Sequence, residues 1–403
     1  MLIVQKYGGT SVGSPQRIQA VADRIVKTRA AGHQVVVVVS AMGHSTDALV
    51  ELASQITSEP NAREMDALLA TGEQVSTALL AMALQSRHVK ANSFTGWQAG
   101  IKTEPVHGAA RIEDIDPRAL TDYLKEDGVA IVAGFQGIAL GSVTTLGRGG
   151  SDTTAVAIAA ALHADRCEIY TDVDGVYTAD PRKVPSARKL PMVSYEEMLE
   201  LANLGSQVLH PRAVETAKRH NVALVVRSSF SDAEGTVITD MSTMEGLRVV
   251  TGVAQEKEVA RVAILGVSLQ SRPLAGLFGA LADENINVDV IVQSIIRESE
   301  VDVSFTVFEA DLPRVITLLD VLKPQLGFRE VLHEKGLSKI SIVGAGMISN
   351  PGVAAQMFEA LEAVGAQVKM VSTSEIKVSC VIEQELLERA LNSVHDSFAL
   401  GKE

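Results

Sequence analysis

Two cysteines, Cys167 and Cys380, lie in unrelated segments of a 403-residue chain. That excludes a disulfide framework and a thiolate zinc site, and it fits a reducing compartment. Nine histidines are scattered without ligand spacing, so no protein-built metal site is expected. Positive charge is also short: 36 Lys and Arg stand against 49 Asp and Glu, for a net charge of −13. A general nucleic-acid or anionic-membrane binder needs a basic face, so both classes are excluded, although local basic sites remain open. Long hydrophobic runs are missing too. Val35–Val39 and Ala155–Leu162 are far shorter than a bilayer span. No signal-like segment precedes the first strand pattern, Leu2 to Gln5. The expectation is a cytoplasmic protein without membrane or nucleic-acid partners.

What is present is apolar content, 46% of residues, enough for two or three domains. Roughly the first 240 residues alternate strand and helix patterns, as βα units do. Val35–Val39 is a continuous β-branched run, expected of a parallel strand buried on both faces, and Val129–Phe135 and Ala223–Val226 read the same way. Ser14 suits an N-cap and Pro15 the first helical position. Ile18, Val21, Ala22, Ile25 and Val26 form one apolar stripe, and Gly32 is placed to end that helix. From about residue 260 the strands alternate cleanly, Val301, Val303, Phe305 and Val307 against Asp302, Ser304 and Thr306, the pattern of an antiparallel sheet with one wet face.

This C-terminal part repeats itself. Gly266 to Asp289 aligns with Gly346 to Lys369 without a gap, and Glu300–Ser304 matches Glu375–Ser379. Each copy reads strand, helix, strand, strand, helix. The second copy ends after the helix Leu386–Phe398, so the orphan strand Arg248–Val253 is expected to complete it, with the first copy inserted inside the second. Two independent consecutive domains are the alternative.

Two glycine-rich segments carry the chemistry. Lys6-Tyr7-Gly8-Gly9-Thr10-Ser11 follows a strand and precedes a helix. It is not a Walker A loop, since its Lys comes first. Gly8 and Gly9 let backbone amides approach an anion at a helix N-terminus, or form a plain βα turn beside a solvated Lys. Gly147-Arg148-Gly149-Gly150-Ser151-Asp152 precedes a helix expected over Thr153–Leu162. Arg148 suits bidentate grip of a carboxylate; Asp152 is either functional or an N-cap. Ser40 and Thr46, in the loop after Val35–Val39, lie where ligands sit in open parallel sheets, or in a structural turn. Glu73 opens the apolar helix Val75–Leu84 and by itself reads as a first-turn acid. Tyr170 to Tyr177 leads to Arg182 and Lys183, a basic pair suited to a polyphosphate, although Asp174-Gly175 could mark only a turn. Val343-Gly344-Ala345-Gly346-Met347 imitates a dinucleotide loop, but Ser349 holds its sixth position and the repeat already accounts for it.

In order and spacing, Lys6–Ser11, Ser40-Ala41-Met42-Gly43, Gly72-Glu73, Gly147–Asp152 and Tyr170–Arg182 resemble the motifs of the aspartokinase family, over essentially the whole chain. The C-terminal copies resemble its paired ACT domains. The resemblance implies an α/β amino-acid-kinase fold, a mostly parallel sheet between helix layers, over residues 1–245. An orphan strand and first ACT domain (βαββαβ) would follow at 246–337, and a second ACT domain at 338–403. It implies transfer of the ATP γ-phosphoryl group, with Mg²⁺, to the β-carboxylate of L-aspartate, the first step toward lysine, threonine and methionine. By carry-over, Lys6 and Arg148 are catalytic, with Asp152 holding the lysine. Ser40, Thr46, Glu73, Arg148, Gly149, Gly150 and Ser151 would bind aspartate. Lys6, Tyr7, Gly8, Gly9, Thr171, Asp172, Tyr177, Arg182 and Lys183 would bind ATP. Asn287, Val288, Asp289, Gln293, Gln367, Val368, Ser374 and Glu375 would form effector sites for lysine, threonine or both. A homodimer or larger assembly is implied, and Met241 or Met244 could start a separate regulatory subunit. The chain departs from the family at Gln207, where many relatives carry Lys, at Ser271-Arg272 in place of Pro-Gly, and at Gln367 and Lys369. Two other readings stand beside this one: a kinase of the same fold acting on acetylglutamate or a nucleotide, and a non-catalytic ACT effector sensor.

Overall fold

The computed structural model describes residues 1–206, 208–241, 248–268, 273–294 and 300–402. Gln207, Met244 and Ser271-Arg272 lie outside the described residues. The chain divides into two compact units, Met1–Val176 with Lys189–Met244, and Tyr177–Arg188 with Glu245–Glu403.

The first unit is built on an eight-stranded sheet. Its spatial order is Met192–Ser194, Thr236–Thr239, Leu224–Ser228, Arg166–Thr171, Leu2–Tyr7, Gln34–Val39, Val129–Ala133 and Ala91–Phe94. Every pairing is parallel except Leu224–Ser228 with Thr236–Thr239. Val35 to Val39 are all essentially inaccessible, as a strand covered on both faces requires. The helix Pro15–Ala30 covers one face; the Ser14 hydroxyl accepts from the Arg17 amide at 3.3 Å, and Ile18, Val21, Ala22 and Ile25 are buried. A second, four-stranded sheet, Ile112–Ile115, Ile101–Thr103, Gln136–Ala139 and Ser142–Thr145, has strands too short to announce themselves by period.

Helices Ala62–Leu69 and Thr71–Gln85 run together. Their combined span, Ala62–Gln85, is long and apolar enough to cross a membrane by length and composition alone. Here it is half buried in the unit, and it carries the buried carboxylates Asp66 and Glu73. No stretch of this kind was expected from the shorter apolar runs.

The second unit contains one six-stranded sheet, ordered Ile291–Gln293, Glu300–Phe308, Gly252–Ser268, Glu330–Val343, Lys377–Glu383 and Met370–Thr373. The two central strands are long enough to serve both repeats. Val259–Ser268 pairs with Glu300–Phe308, while Gly252–Glu256 pairs with Lys339–Val343. The segment beside the second repeat is therefore Gly252–Glu256, slightly beyond the Arg248–Val253 strand expected. One core gathers Leu277, Leu281, Val315 and Leu319 from the first repeat's helices. Another gathers Met357, Leu361, Leu391 and Val394 from the second repeat's, together with Ala179 and Val184. Those last two residues explain why Tyr177–Arg188, expected in the first domain, groups with the second unit: its apolar side chains are buried in the second repeat's core. The imitation dinucleotide loop is a packing device. A Cβ on Gly344 would stand 2.3 Å from the Val249 carbonyl oxygen, and one on Gly346 2.8 Å from that of Arg248.

Candidate active site

Parallel strands bring their carboxyl ends to one edge of the sheet, and Lys6, Ser40, Gly134 and Thr171 all lie there. Lys6 is 9% exposed, and its ammonium meets Asp152 Oδ1 at 2.6 Å. Asp152 is not the N-cap of its helix. The helix is Gly150–Ala161 and its cap is Gly149, in the left-handed region at φ 67°. Asp152 instead sits in the first turn, where the helix N-terminus favours a carboxylate and Lys6 pairs with it.

Neighbouring residues of a strand face opposite sides. While Lys6 points toward Asp152, Tyr7 is fully buried on the other face and stacks on Tyr170 with ring centroids 4.7 Å apart. Its side chain is thus no nucleotide contact, contrary to the ATP-binding role expected for Tyr7. The Gly8 amide is likewise committed, donating to the Tyr170 carbonyl at 3.2 Å. Gly9 is fixed by packing, since a Cβ there would lie 2.9 Å from the Ala41 carbonyl oxygen.

Glu73 stands in the first turn of Thr71–Gln85 and is 3% exposed. Its Oε1 accepts from the Ala41 amide at 3.1 Å, while Oε2 has no partner among the described residues. Burial pushes its pKa from 4.5 up to about 7, against the opposing effect of backbone hydrogen bonds, the Ala41 amide among them. The same loop is tied to this helix by the Ser76 hydroxyl, which donates to the Ser40 carbonyl at 2.7 Å. Thr46 lies in the first turn of Ser45–Ile56.

Arg148 is exposed, with no ion-pair partner among the described residues. It sits between Gly147 at φ 72° and Gly149 at φ 67°, conformations that favour glycine. The Gly150 amide closes the turn on the Gly147 carbonyl at 3.0 Å, and Ser151 packs against Gly134 at the end of Val129–Ala133.

Three supporting residues carried no local signal. Asp66, fully buried, accepts from His107 Nδ1 at 2.6 Å, from the Gly108 amide at 3.0 Å and from the Thr145 hydroxyl. His210 caps the helix Pro211–His220 and stands behind Gly149. Arg212 donates to the Leu146 and Ala110 carbonyls.

The remaining expected contacts are more dispersed. Thr171 ends its strand, and its hydroxyl donates to Asp172 Oδ1 at 3.1 Å. Tyr177, Arg182 and Lys183 belong to the second unit. There Arg182 grips Asp180 through two bonds of 2.9 Å. Among the expected effector residues, Gln367 and Val368 line a cavity of about 540 Å³ with Phe358, Glu362 and Val371. Ser374 and Glu375 form an exposed turn that does not line it. Asn287 to Asp289 precede the edge strand Ile291–Gln293, and Asp289 is ion-paired with Lys339, which also meets Glu256 at 2.6 Å.

Residues 1–228 match the amino acid kinase family and residues 340–398 the ACT domain. Aspartokinase 2 of Bacillus subtilis strain 168 is 55% identical over 402 residues, covering 100% of this chain and 98% of that one. The chain belongs to the aspartokinase family. Its activity is thus that of an aspartate kinase, and its fold is an amino-acid-kinase domain followed by an ACT regulatory region. Among solved structures, E. coli aspartokinase III in complex with aspartate and ADP, an R-state, aligns with a TM-score of 0.79 at 28% identity, covering 98% of this chain and 99% of that one. The T-state of the same E. coli enzyme, with lysine and aspartate, aligns at 0.76 and 27% identity, covering 99% of each chain.

Proposed function

We propose that the chain transfers the γ-phosphoryl group of ATP to the β-carboxylate of L-aspartate with the first unit's sheet edge as the reaction site. The observation that carries this reading is the Lys6–Asp152 pair at 2.6 Å, on the unit that also presents Arg148, without an ion-pair partner among the described residues, between left-handed glycines. A β-carboxylate oxygen attacks the γ-phosphorus, a new P–O bond forms, and the bond to the bridging oxygen breaks, leaving its electron pair on ADP. The acceptor is already ionised at neutral pH, so no general base is needed. Catalysis then rests on positioning and on cations around the transferring group. Lys6, aimed by Asp152, supplies one such cation; Arg148 clamps a carboxylate bidentately; and ionised Glu73 receives the α-ammonium. Ser40, Thr46, Gly149, Gly150 and Ser151 border the aspartate, and Thr171 and Asp172 serve the nucleotide. Mg²⁺ arrives on the ATP phosphates, which requires one or two carboxylates at most.

The second unit is read as two ACT domains, residues 246–337 and 338–403, the second completed by the strand near Gly252–Glu256. Feedback by lysine, threonine or both acts through Asn287–Gln293 and the cavity at Gln367-Val368. The exposed Ile291, Val292, Phe358 and Val368 favour pairing with a second copy. The protein is read as cytoplasmic, and Met241 or Met244 as a start for a separate regulatory subunit. Hydroxylamine trapping tests the activity: ATP- and aspartate-dependent hydroxamate is expected, and its absence in a folded, ATP-binding preparation would refute the assignment.

A further inference from the structure

We propose that Arg212, with His210 behind it, is a positioning residue that sets where Arg148 stands. The proposal rests on the reading of Arg148 as the carboxylate clamp. The turn that carries Arg148 contains three glycines, and glycine backbone restrains itself poorly. A clamp that must meet a carboxylate through two parallel bonds needs a fixed base. The turn's own bond, Gly150 amide to Gly147 carbonyl, closes the loop without fixing it to its surroundings.

Arg212 supplies that anchor. Its Nη1 donates to the Leu146 carbonyl at 2.6 Å, two residues before Arg148, and its Nη2 to the Ala110 carbonyl at 2.9 Å. Ala110 in turn donates its amide to the Thr145 carbonyl at 2.9 Å, so one guanidinium bridges the end of the turn's entry strand and the segment bonded beside it. Leu146 is fully buried, and its carbonyl has little access to water as an alternative partner. On the exit side, the His210 ring occupies the space a Cβ on Gly149 would need, with Cγ 2.1 Å from that point. His210 Nδ1 accepts from the Arg212 amide at 3.3 Å, which locks the ring against the turn. The first turn of Pro211–His220 thus holds the Arg148 loop at both ends. The planar fork of arginine reaches two carbonyls at once; a lysine ammonium on a flexible stem does not reproduce that geometry.

Steady-state kinetics in both substrates test this on full-length Arg212→Lys and Arg212→Ala, beside Arg148→Lys and with thermal midpoints as a folding control. Arg212→Lys should raise the aspartate KM about tenfold while the ATP KM stays within about twofold. Millimolar guanidinium should restore the aspartate KM of Arg212→Ala, and methylammonium should not. If Arg148→Lys raises the aspartate KM but neither Arg212 variant does, or if both substrates' KM values rise together, Arg212 is only a strut and the inference fails. If neither Arg148→Lys nor the Arg212 variants move it, the clamp reading itself is wrong. Should Arg212→Ala fail to fold, Arg212→Lys alone decides.

Discussion

Aspartate binding should depend on pH across neutrality because of Glu73. Its carboxyl is 3% exposed, one oxygen lacks a partner among the described residues, and burial lifts the pKa from 4.5 to about 7. That shift corresponds to about 3 kcal/mol in favour of the neutral form. In the role proposed for Glu73, the α-ammonium of aspartate needs the ionised form. For a pKa near 7, the ionised fraction is about one-tenth at pH 6 and nine-tenths at pH 8, so the aspartate KM should fall about tenfold between them. The substrate's own carboxyl and ammonium groups do not titrate in that window. The stability sign is opposite. A raised folded-state pKa stabilises fully below the unfolded value of 4.5 and is lost as pH rises through about 7. The ligand-free protein should therefore lose stability from pH 6 to 8, while protection by aspartate grows. Initial rates at saturating MgATP over pH 6–8, with matched thermal scans, measure both. Glu73→Gln should flatten both profiles at the cost of weaker aspartate binding. A wild-type aspartate KM that is flat over this range, or a Glu73→Gln enzyme that keeps the full dependence, would refute the reasoning.

Gly149→Ala combines a left-handed backbone with a collision against His210, so denaturant unfolding should show a loss of about 2 kcal/mol or more, and an unchanged stability would contradict the geometry. In the second unit, the Thr178 hydroxyl accepts from the Arg188 amide at 2.9 Å and shares a 2.9 Å hydrogen bond with Nε2 of the fully buried His395. Burial holds its pKa below the usual 6.5, so its contribution is present above pH 6.5 and lost as pH falls further. Unfolding of the wild type should ease between pH 7 and 5.5, and His395→Gln should show a weaker dependence; equal slopes would refute the assignment.

Much of this was legible in local pattern. The all-valine strand, the Ser14-Pro15 helix start and the two glycine turns are each written in consecutive residues, and each folds as its neighbours dictate. Tyr7 is legible in the same way, because alternation along a strand sends it away from Lys6. Asp66, His210 and Arg212 were not legible: they support Thr145, Gly149 and Leu146 through contacts that exist only once distant segments meet. Tyr177–Arg188 carries no period that says which unit it joins; Ala179 and Val184 decide it by burial in the second repeat's core. Strands of three or four residues in the second sheet are too short for a period of two to declare itself.

The central claim is that the Lys6 turn serves the phosphoryl group and the Arg148 turn the aspartate. It is tested most directly by the KM of Arg148→Lys for each substrate. Loss of the bidentate fork should raise the aspartate KM by about one to two orders of magnitude and leave the ATP KM nearly unchanged. An aspartate KM like that of the wild type, or an equal rise for both substrates, would contradict the account.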